Sequence, residues 1–122
     1  MKPEQLAFNG ARQVMVMIAP HLAPQIMNAK NEEEIKKALM VDELKREYSE
    51  TNESLLSAIN QKENTKVSIF NCSKKVMQAI APYAITEIDN ITLEEARPKF
   101  LSIGLWDKFF AINAVVEATL SN

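Results

Sequence analysis

Few side chains in this sequence could activate a bond. His21 is the single histidine and Cys72 the single cysteine. A general base needs a second group to orient it, and a thiol nucleophile needs a neighbour that holds it as thiolate. His21 lies between Pro20 and Leu22 with no such group close by, so it reads as a half-buried ring packed at a helix bend. Cys72 reads as a small buried thiol, although Lys74 and Lys75 stand close enough to lower its pKa. One histidine cannot build a histidine metal cluster. Asp42, Asp89 and Asp107 are too scattered for a calcium loop. The run Glu32-Glu33-Glu34 reads as a solvated helix start. The glycine motifs of phosphate loops, dinucleotide folds and nucleophile elbows are missing. The expectation is therefore a non-enzyme with no cofactor and no metal.

Whatever these groups do, helices must position them. The chain carries two glycines, Gly10 and Gly104, and is rich in Ala, Leu, Met, Glu, Lys and Gln, the helix formers. Moving the chain 62 residues along itself pairs Phe8–Leu39 with Phe70–Leu101 without a gap. Thirteen of the thirty-two pairs are identical, running from Phe8/Phe70 and Asn9/Asn71 through Pro20/Pro82 to Glu32/Glu94, Glu33/Glu95, Lys37/Lys99 and Leu39/Leu101. Apolar periodicity alone would not match Asn, Pro, Glu and Lys in the same frame. Self-similarity of this kind marks a repeat architecture. The reading is an all-α single domain, residues 1–122, folded as a compact helical bundle from two tandem copies of a helical motif of about 60 residues. Copy one is 1–60, the polar junction 61–66, and copy two 67–122, with a pseudo-twofold arrangement open to it.

Each copy opens with a helix. The first starts near Pro3 and ends at Ala19 before Pro20, with Phe8, Met15 and Ile18 on one face and Val14 beside them. In copy two Phe70, Met77, Ile80 and Val76 repeat that stripe, which favours helix over strand for residues 66–70. A short bent segment follows the proline in both copies. Asn31 before three glutamates predicts a helix start, and Thr92-Leu93-Glu94-Glu95 predicts a capping box. Residues 43–60 carry only a thin apolar stripe and invite a break near Ser49–Asn52. Residues 105–120 are apolar almost all round. Such a helix is central to a core or part of a subunit interface. Core is favoured, with the polar helix of copy one outside it.

Function is read from what remains. A net charge of -2 offers no broad basic surface, and Lys36-Lys37, Lys45-Arg46 and Lys74-Lys75 are interleaved with acids. Nucleic acid binding, with 61–75 as its best segment, is a weak alternative. No apolar run nears the roughly 20 residues that span a bilayer, and no secretory signal is visible, so a cytoplasmic protein is expected. The leading expectation is an adaptor, inhibitor or assembly factor that binds a protein partner, or itself, through helical surfaces. Met15, Met17, Met27, Trp106, Phe109 and Phe110 are its candidate surface. A second candidate is a polar site where the copies meet, drawn from the matched Asn28, Glu33, Lys37, Asn90, Glu95 and Lys99. It would suit a small ligand.

Overall fold

Pro3 begins the first helix, where its missing N–H costs nothing. This helix, α1 (Pro3–Ile18), buries Ala7, Phe8, Ala11, Val14 and Met15 along one stripe. It stops because Pro20 excludes helical backbone from Ala19, which sits at φ -135° and ψ 64°. A 3-10 turn, Pro20–Leu22, leads into α2 (Ala23–Asn28). Asn31 then caps α3 (Glu32–Leu39), its side-chain oxygen accepting the Glu34 N–H at 2.9 Å. After a tight turn at Met40 comes α4 (Asp42–Asn60). These elements, and those below, are those of a computed structural model that describes residues 1–121.

The same order returns in the second half. Thr65 and Ser68 form a reciprocal capping box at the start of α5 (Lys66–Ile80). Ala81 before Pro82 takes φ -132° and ψ 62°, and a 3-10 turn, Pro82–Ala84, leads into α6 (Ile85–Asp89). Then come α7 (Ala96–Ser102) and α8 (Trp106–Leu120). Among the described residues there is no strand. The four long helices form the bundle. α1 packs chiefly on α4 and α5 on α8, while α4 against α5 and α1 against α8 join the halves.

One pair of cations does the same work in both halves. Arg12 donates to the carbonyls of Met27 and Ala29 at 3.0 and 2.9 Å, and its guanidinium lies over the Phe8 ring. Lys74 donates to the carbonyls of Asp89 and Ile91 at 3.1 and 2.9 Å and lies over Phe70. Each cation ties down carbonyls that a short helix end leaves without partners. These two sets of contacts lie 62 residues apart, through Ala29 and Ile91, although Arg and Lys do not match as letters.

Beyond that point the frame moves by one residue. Leu39 is fully buried but Leu101 is 55% exposed; Phe100 takes the inner position instead. Buried Ile35, Tyr48, Thr51, Leu55 and Ala58 recur 61 residues on as buried Ala96, Phe109, Ile112, Val116 and Thr119. The identities Glu32/Glu94, Glu33/Glu95, Lys37/Lys99 and Leu39/Leu101 thus join residues on different parts of their helices. The slip falls at Thr92–Glu95. There the expected capping box is instead a turn, closed by Thr92 Oγ1 on the Glu95 carboxylate at 2.9 Å, and α7 begins later.

Other expectations are corrected as well. α4 runs unbroken through Ser49–Asn52 and is as central as α8, since α1 lies along it and Tyr48 and Leu55 are in the core. His21 is exposed rather than half-buried, and Tyr83, 62 residues on, is exposed too. They sit on the outer side of their 3-10 turns, and the adjoining prolines turn the chain without needing a packed ring.

Candidate functional site

Cys72 is where a nucleophile would be sought, and its surroundings argue against one. It is buried on α5, its sulfur facing the Ser54 carbonyl at 3.8 Å. Burial pushes the thiol up to about 11, outweighing the lowering effect of Lys75. A thiol so protonated at neutral pH is a poor nucleophile. No group of three His, Cys, Asp or Glu side chains that could hold a metal occurs among the described residues.

The matched polar residues do not converge. Asn90, Glu95 and Lys99 share one shallow depression of about 300 Å³. Glu33 instead pairs with Lys37 on its own helix at 3.9 Å, with both side chains exposed. Asn28 lies in a separate depression beside Arg12. The basic pairs are similarly engaged: Lys36 faces Glu32 at 3.6 Å, Arg46 pairs with Glu50, and Lys74 holds its two carbonyls.

The hydrophobic candidates divide by half. Met15 is fully buried and belongs to the core, so it presents no surface; its place on the inner stripe of α1 requires that. Met17 is half-buried, and Met27 is 50% exposed on α2. Trp106, Phe109 and Phe110, by contrast, line one open groove of about 620 Å³ between the start of α5, α7 and α8. Phe109 is its floor. It is buried, stacked on Phe100 at 4.1 Å between ring centres, and met edge-on by Phe70 at 5.7 Å. Trp106 lies against both Phe109 and Phe110. Phe110 stands 64% exposed at the mouth.

The wall adds residues that the reading of the sequence passed over. Asn113 is one helical turn beyond Phe109, its oxygen held at 2.8 Å by the Ser73 hydroxyl. Glu117, Lys66, Glu94 and Arg97 carry the charge around it. Part of the signal was present: Trp106 and Phe110 begin a second stripe at helical spacing beside the buried one, which the polar Asn113 and Glu117 continue. An α-helix apolar on two stripes has one to bury inside and another to bury elsewhere.

The burial register of 61 residues supplies an internal control. On α4 the positions matching Trp106, Phe110, Ala111 and Ala114 are Lys45, Ser49, Glu50 and Glu53. Both helices pack inward alike, yet at these four positions α4 carries polar side chains where α8 carries aromatic and small apolar ones; at a fifth the order reverses, Leu56 on α4 against Glu117 on α8. The corresponding depression over Phe8 and Tyr48 is also smaller, about 340 Å³. No helix among the described residues is long and apolar enough to cross a membrane. No family model, curated protein or solved structure matches the chain.

Proposed function

We propose that this protein is a non-enzymatic interaction module that binds protein through the outer face of α8 and its groove. The chain is read as two tandem copies of one helical motif, 1–60 and 67–122, joined through 61–66. Copy one then supplies the scaffold and copy two the contact surface. One observation carries the reading: at Trp106, Phe110, Ala111 and Ala114 α8 carries apolar side chains where its counterpart α4 carries polar ones. An exposed aromatic patch beside a groove is what interfaces are made from, with Trp and Phe as anchors inside a polar rim. A reducing compartment such as the cytoplasm suits a chain whose one cysteine is a buried free thiol.

Photo-crosslinking tests the reading. A benzophenone side chain placed at position 110 in the expressed protein is expected to capture protein on illumination, and the same group at position 49 is not. If position 110 yields no adduct, to another protein or to this one, the α8 face is not an interaction surface.

A further inference from the structure

We infer that the occupant of the α8 face is a second copy of this chain, the two α8 helices lying antiparallel across a twofold axis. The inference rests on the reading of that face as an interaction surface and names its partner. The first argument is charge. Lys66, Arg97, Glu94 and Glu117 all line the groove and are exposed, and none forms an ion pair within the chain among the described residues. A rim made for a partner of one charge would carry the opposite sign. This rim carries two cations and two carboxylates, the composition an isologous interface needs, since the same patch must satisfy itself. A net charge of -2 puts little long-range repulsion between two copies.

The second argument is shape. One patch holds both a projection, the exposed Phe110, and a recess, the groove floored by Phe109. A twofold axis near Ala114 sets each Phe110 opposite the Glu117 end of the other copy's groove, the two lying about 6 and about 4.5 Å along the helix on either side of the axis. Ala111 and Ala114 beside Phe110 let the two helices approach closely. On α4, Glu50 and Glu53 hold those places and would set like charges together. The fold therefore offers one self-complementary face and one that excludes such pairing.

Light scattering on the purified full chain across 1–200 µM measures this directly (a concentration range on the order of that at which small homodimers associate). Wild type is expected at twice 13.8 kDa, and Phe110→Glu or Ala114→Glu as a monomer with helical circular dichroism unchanged. Ser49→Glu is expected to leave the dimer intact. Benzophenone at position 110 should link to Ile69, Asn113 or Glu117 of the other copy, recognised by mixing ¹⁴N and ¹⁵N chains. A wild-type monomer at every concentration overturns the homodimer, as does a dimer indifferent to both α8 substitutions. If position 110 then captures a different protein, the interaction reading survives without the homodimer. If it captures nothing, both fall.

Discussion

Glu47 shows at the scale of a single side chain how the core treats charge. It is 7% exposed on α4. Burial raises its pKa, and Glu43 and Glu50 add to that, against the lowering pull of Arg46 and Lys108. A carboxyl whose folded pKa lies above its unfolded value of 4.5 keeps its proton longer in the folded chain. Its contribution to stability is present at acid pH and is lost as pH rises through the folded value. Glu47→Gln removes that loss. The variant is expected to melt higher than wild type at pH 7 and close to it at pH 4. A variant melting lower at pH 7 would mean that pairing with Arg46 or Lys108 outweighs burial. Tyr48, beside it, is held protonated by burial and by the nearby Glu32, so it offers no phenolate to a ligand at neutral pH.

At the scale of elements, the turns between third and fourth helices are where the halves differ most. Between α3 and α4 the chain reverses on Met40 alone, at φ 68°, with the Val41 N–H donating to the Leu39 carbonyl at 2.7 Å. That positive φ is costly for a residue with a Cβ, and Met40 is 71% exposed, so no burial offsets it. Between α7 and α8 the equivalent work falls to Gly104, at φ 74°, where the conformation is free of strain. A Cβ there would touch nothing within 4 Å, so its effect would be conformational alone. Met40→Gly is expected to stabilise the chain by about 0.5–1 kcal/mol and Gly104→Ala to destabilise it by about 1 kcal/mol. Urea unfolding measures both, and equal midpoints for all three chains would show the turns to be relaxed.

For the whole molecule, the decisive contacts are those between halves. α4 lies against α5 and α1 against α8, so the buried residues of both halves join in one continuous core. Gly10 marks how close the approach is: a Cβ there would come within 2.7 Å of Thr119 Oγ1 and 3.0 Å of Leu55 Cδ1. Unfolding is therefore expected as one transition. Trp106, the single tryptophan, reports only on the second half, while far-ultraviolet circular dichroism reports on every helix. The two probes should give one midpoint in urea. Separate midpoints would show that the halves fold independently and that contacts across the junction are weak.

The amino-acid order by itself determined the helical class, the first helix of each half and the proline-enforced bend, because these follow from local sterics and from a strong 3.6-residue stripe around Phe8 and Phe70. It also marked residues 105–120 as too apolar for one buried face. Only the tertiary structure decided which apolar residue of a neighbouring pair turns inward. Phe100 and Leu101 differ little in hydrophobicity and lie about 100° apart on a helix. A one-residue change in the turn before α7 therefore exchanges them with no visible break in the pattern. The same shift sets Phe110 outside and Phe109 inside, and it separates Glu33 and Lys37 from their lettered counterparts. Packing across the bundle sets that register, and the matching letters follow a different one.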